Sequence, residues 1–163
     1  MSTAKILLNT FQETRNLSNF YFNKLKDTDI NRTFEANGVP LNSARWIMAH
    51  LTWAEHSLIL EALGAEKISV DWFRKVSFGT PLCKTEELPP IESILNTMKT
   101  VHDAVNSFVP LFTDEALEEK NMLGLKFGPN ESKRFMLIHA IRHEGTHAGQ
   151  LSWLCKINNI KTI

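Results

Sequence analysis

The stretch HAIRHEGTHAGQL, His139 to Leu151, sets three histidines four residues apart. Four-residue spacing is a helical period. At 100° per residue His139 and His147 lie about 40° to either side of His143, and Gln150 lies about 20° from it. Met136 and Leu154 prolong the same stripe, so its polar middle is enclosed by apolar ends. A stripe of this kind faces the interior of a helical protein. Burying an unpartnered polar group costs on the order of 1 to 3 kcal/mol, so His139, His143, His147 and Gln150 call for a common partner. A metal ion is one such partner, because imidazoles at i and i+4 can converge on a single ion. A helix that buries hydrogen-bonded histidines without an ion is the other reading.

The same stretch contains HEGTH, the H-E-x-x-H pattern of zinc peptidases, in which both histidines bind zinc and the glutamate is the general base. That mechanism takes its third ligand from downstream. Here residues 148–163, AGQLSWLCKINNIKTI, contain no His, Asp or Glu. The peptidase reading therefore fails, and a third ligand has to come from upstream. His50 is the best placed, in the middle of a second helical segment where facing helices of a bundle bring such positions together. His50, His143 and His147 would then form an open three-ligand site of the catalytic type. His139 is a fourth ligand or, with Gln150, a hydrogen-bonding partner of the ligand rings. Glu144, about 100° round the helix from His143, is a candidate for proton transfer. Of the remaining histidines, His102 reads as a satisfied core histidine, and His56, about 240° from His50, should face solvent.

Working outward, four segments carry helical periodicity. The first runs from about Thr3 to Lys26, with Leu7, Phe11, Phe22 and Leu25 near one stripe. The turn NGVPLNS follows, with Asn42 or Ser43 as N-cap of a second helix from about Ser43 to Leu63, which stops at Gly64. Residues 65–88 lack a sustained period and form an irregular crossover whose Trp72, Phe73 and Phe78 need somewhere to pack. The third helix opens at LPPIES, with Pro90 in its first turn and a stripe of Ile91, Ile94, Met98, Val101, Val105, Phe108 and Phe112. A polar connection with a short helical turn at 114–119 leads to the fourth, from Pro129 or Glu131 to about Ile157. The fold class is all-α, a four-helix bundle with long crossover connections, occupying residues 1–163 as a single domain.

Composition narrows function. With 18 basic and 18 acidic residues there is no global field to gather nucleic acid or anionic lipid, so a small neutral or zwitterionic molecule is the expected partner. Two distant cysteines, Cys83 and Cys155, give no disulfide framework. The N-terminal apolar run is short, and no 18 apolar residues run together, so neither a signal peptide nor a membrane span is expected and the chain is placed in the cytoplasm.

The ordered set Trp46, His50, His143, His147, Gly149 and Gln150, read from WIMAHL and HEGTHAGQL some ninety residues apart, resembles the DinB/YfiT-like superfamily of small metalloenzymes. The resemblance spans the whole chain. It implies an up-down-down-up four-helix bundle, often a homodimer, with a divalent metal on three histidines that map to His50, His143 and His147. It further implies transfer or isomerisation chemistry with a low-molecular-weight thiol. The function expected is a thiol-dependent S-transferase or hydrolase acting on a small molecule, with zinc or nickel as cofactor. A non-catalytic metal-binding or stress-response bundle is the alternative, and nothing specific to one substrate carries over.

Overall fold

The computed structural model describes residues 1–81 and 83–162. Five α-helices make up most of it: α1 (Thr3–Leu25), α2 (Ala44–Glu55), α3 (Ile91–Phe108), the single-turn α4 (Asp114–Glu118) and α5 (Lys133–Ile157). A two-residue hairpin, β1 (Glu35–Ala36) and β2 (Val39–Pro40), turns at Asn37 and Gly38, both with positive φ. Asn-Gly is the pair that tolerates this conformation best.

Each long helix except α3 opens on a serine whose hydroxyl accepts a backbone N–H three residues on: Ser2 from Lys5, Ser43 from Trp46 and Ser132 from Phe135. The last of these caps sets the start of α5 a few residues later than the acidic and proline signals at 129–131 suggest. Helix α2 continues into a wide π-turn, His56–Glu61, and ends at Gly64, whose φ of +95° is open to glycine at little cost. Pro110 lies in a short 3₁₀ turn, Val109–Leu111, that follows α3, so Phe112 of the expected stripe falls beyond the helix.

Residue pairings give the helix directions. Arg15 meets Glu144 and the Tyr21 carbonyl meets Cys155, so α1 and α5 run parallel. Gln12 meets Asn106, while Asn19 shares a pocket wall with Leu95, which sets α3 antiparallel to α1. Arg45, at the start of α2, donates to the carbonyls of Leu88 and Pro89 just before α3, while Glu55 near the end of α2 meets His102 well along α3. Helices α2 and α3 are therefore parallel, and the order is up-down-down-up. Parallel neighbours explain the long crossover, because the chain must climb back along the roughly 27 Å of the 18 residues Ala44–Glu61 before α3 can begin.

The core has two layers along the bundle. One gathers Leu8, Phe11, Leu58, Ile59, Val101, Val105, Met136 and Leu137; the other gathers Phe22, Ile47, Leu51, Ile94, Met98, Leu151 and Leu154. Of the crossover aromatics, Phe73 is buried and Trp72 packs against the core, but Phe78 is 92% exposed and belongs to neither core cluster of the described residues. His56 departs from expectation in the opposite sense. It is 1% exposed, because the crossover folds over its flank: the Ile68 N–H donates to His56 Nε2 at 3.1 Å and the Phe73 ring lies 5.1 Å away.

Candidate metal centre

His50 comes from the middle of α2, and His143 and His147 from successive turns of α5. One ring nitrogen of each lies within 4.8 Å of the others. His50 Nε2 and His143 Nε2 lie 3.1 Å apart. Two nitrogens on one zinc in tetrahedral geometry, with bonds of about 2.0 to 2.1 Å, stand roughly 3.3 Å apart. The helices thus bring together the three residues that spacing selects.

The back nitrogens of two rings are committed. His50 Nδ1 lies 2.6 Å from the Val76 carbonyl, which can only accept, so the His50 proton sits on Nδ1 and Nε2 presents a lone pair. His147 Nδ1 donates to Gln150 Oε1 at 2.8 Å, which turns its Nε2 lone pair inward as well. Fixing the far nitrogen to a carbonyl is how ligand imidazoles are oriented in metal sites. His50 and His147 point lone pairs at the place where His143 Nε2 also points, and three electron-pair donors facing one spot fit a cation.

Burial and mutual repulsion keep the cluster neutral. His143 is pushed down to about 3, first by desolvation and then by the charges that His147, His50 and His139 would carry. His147 is pushed down to about 4, mainly by desolvation and then by His50. Desolvation lowers His50 too, partly offset by its bond to Val76. Neutral imidazoles are the form that binds metal.

This arrangement has a consequence for the metal-free protein. Both pKa values lie below the ordinary 6.5, so protons favour the unfolded chain. The stability contributed by these groups is whole above about pH 6.5 and is lost as pH falls toward 4. Urea unfolding of metal-free protein from pH 7.5 to 4.5 should show a loss larger by about 5 kcal/mol, roughly half from each ring, than in His143→Gln/His147→Gln, whose curve lacks this component. Equal losses in the two proteins would contradict the placement of these rings in a desolvated cluster.

Aromatic rings wall the centre. Trp46 stacks on His50 at 4.7 Å and 11°, and Trp53 leans on it at 5.3 Å. His139 stands outside the trio. Its ring lies 4.2 Å from Phe127 and 6.2 Å from His143, and its buried Nδ1 has no hydrogen-bond partner among the described residues. Gln150 holds the orienting position that spacing leaves shared between the two.

The proton-transfer role considered for Glu144 finds no support in its surroundings. Both its oxygens are taken by Arg15, from Nε and Nη2 at 2.9 Å each. The same guanidinium reaches Glu55 Oε2 from Nη1 at 3.1 Å, and Glu55 Oε1 lies 2.7 Å from His102 Nδ1. Arg15, Glu55 and Glu144 are at most 3% exposed. His102 is accordingly satisfied, by a buried carboxylate. Sequence reasoning missed Arg15, although a signal exists: Leu8, Phe11, Arg15, Ser18, Phe22 and Leu25 follow a three-four rhythm on the buried face of α1. Val76 carries no signal, since a backbone carbonyl has no sequence identity.

Among the described residues no helix is long and apolar enough to cross a membrane. No curated protein matches the chain. A family model described as the DinB superfamily matches residues 5–151, so the chain belongs to the DinB superfamily.

Proposed function

For a DinB-superfamily chain with this centre, we propose a divalent-metal-dependent enzyme, a thiol-dependent S-transferase or hydrolase that acts on a small molecule. The observation that carries the reading is the convergence of three neutral imidazoles, two of them locked from behind, which leaves the remaining coordination positions free. A divalent cation held there, zinc or nickel, supplies a Lewis acid that makes a thiol or water nucleophilic at neutral pH. The chain's own residues do the rest. Val76 and Gln150 hold His50 and His147 in the tautomer that donates inward. Trp46 and Trp53 shield one side of the centre from water and give an apolar wall for a substrate. The same reading makes the protein a cytoplasmic homodimer, for which the exposed Trp153 and Ile157 on α5 offer an apolar surface.

The test pairs bacillithiol, glutathione and coenzyme A with an alkyl halide and an epoxide, in the metal-loaded protein. Turnover is expected with at least one thiol. It should disappear in His50→Ala while circular dichroism shows the helices retained. Metal-loaded protein that is silent with every pair would point instead to a metal-binding bundle without catalysis.

A further inference from the structure

A cavity of about 480 Å³ opens between α2 and the crossover. Its lining includes Trp53, Lys67, Ser69, Asp71, Arg74 and Ser77. Trp53 stands between it and the histidine centre, its ring 5.3 Å from that of His50. Ser77 follows directly on Val76, whose carbonyl fixes His50. The cavity is therefore a neighbour of the metal centre through one ring and one peptide.

Two of its charges, of opposite sign, are left free. Among the described residues, Arg74 has no carboxylate within 4.0 Å and Asp71 has no cationic partner within that distance. They share a wall and a short 3₁₀ helix, Asp71–Lys75, yet do not pair with each other. Lys67 is 75% exposed and only loosely held, 3.6 Å from Glu61. Two cations, one carboxylate and two hydroxyls thus look into one space over an aromatic ring. A purely anionic ligand would leave Asp71 opposed, and a purely cationic one would meet Lys67 and Arg74.

We propose that this cavity binds the zwitterionic head group of an amino-acid-type ligand, with its carboxylate on Arg74 and Lys67 and its ammonium on Asp71. Arg74 suits a carboxylate because its planar fork can donate two parallel hydrogen bonds. Ser69 supplies a further donor to the same carboxylate, whereas the Ser77 hydroxyl already donates to the Arg74 carbonyl at 3.4 Å. The inference deepens the proposed function by naming a substrate class, and rests on it only for where the ligand's reacting end lies, past Trp53 at the three histidines.

The test uses L-serine, ethanolamine and 3-hydroxypropanoate, which keep the same hydroxyl end while the second lacks the carboxylate and the third the ammonium. Amide chemical shifts of residues 67–77 are followed by NMR in metal-free protein and again after zinc loading. L-Serine should bind metal-free protein at least about tenfold more tightly than either truncated probe, the size of one lost charge-assisted contact. Arg74→Gln should remove that advantage over ethanolamine, and Asp71→Asn the advantage over 3-hydroxypropanoate. Both side chains lie outside the core, and neither variant touches the histidines. Equal affinities for the three probes, or L-serine binding unchanged in Arg74→Gln, would overturn the inference while leaving the metal reading intact. Failure to load zinc, with the serine preference present, would sink the metal reading and leave the head-group site standing.

Discussion

Protein purified without a histidine tag should carry close to one divalent ion per chain, and His143→Ala should carry almost none. Three convergent nitrogens form the site, and removing the central one leaves two rings on different helices with no bridge between them. The effect should also appear in stability, because the ion binds the folded chain and not the dispersed ligands of the unfolded one. With free metal at a thousand times its Kd the native state gains about 4 kcal/mol. For a chain of this size that corresponds to a rise in Tm of about 8 to 16 °C on adding metal to stripped protein. His143→Ala should show none of that rise. Gln150→Ala should keep the ion but bind it about 10- to 100-fold more weakly, since it removes only the group that orients His147. Elemental analysis and differential scanning calorimetry read both. Equal, sub-stoichiometric metal in wild type and His143→Ala would end the metal-centre reading.

Arg15→Met should destabilise the protein by about 3 to 5 kcal/mol, the usual result of removing one partner from a buried ionic cluster. The reason is uncompensated charge. Glu55 and Glu144 would lose their guanidinium inside the bundle, Glu144 would lose both of its bonds, and only His102 would remain beside Glu55. Replacing the cluster as a whole, Arg15→Met with Glu55→Leu and Glu144→Leu, should recover most of that loss, because well-packed apolar groups often match a buried ion pair. Urea unfolding measures both. Metal content separates this role from chemistry at the centre: if Glu144 serves the core, Glu144→Gln should lower stability and leave metal loading near one ion per chain. Unchanged stability in Arg15→Met would show that the cluster does not hold α1, α2 and α5 together as its geometry requires.

Much of the candidate centre was legible because it is written in helical period. His143, His147 and Gln150 share a face by spacing alone, and His50 is the histidine that the middle of a second helical segment offers as third position. The cap at Ser43, the stop at Gly64 and the apolar stripes are likewise local, set by which side chains can satisfy a helix end or turn one face inward.

What the chain could not state locally is which flank another segment covers. A helical wheel puts His56 in solvent, and it is buried only because residues 68–73 of the crossover lie over it. The wheel leaves Glu144 undecided between the centre and the flank, and the parallel packing of α1 against α5 decides it by delivering Arg15. The Val76 carbonyl reaches His50 because parallel α2 and α3 force the chain back along the bundle, past the very ring it fixes. Side-chain periodicity is a property of one helix and can be read from one. Partnership between Arg15 and Glu144, 129 residues apart, or between His50 and a carbonyl 26 residues on, exists only once helices and crossover have packed.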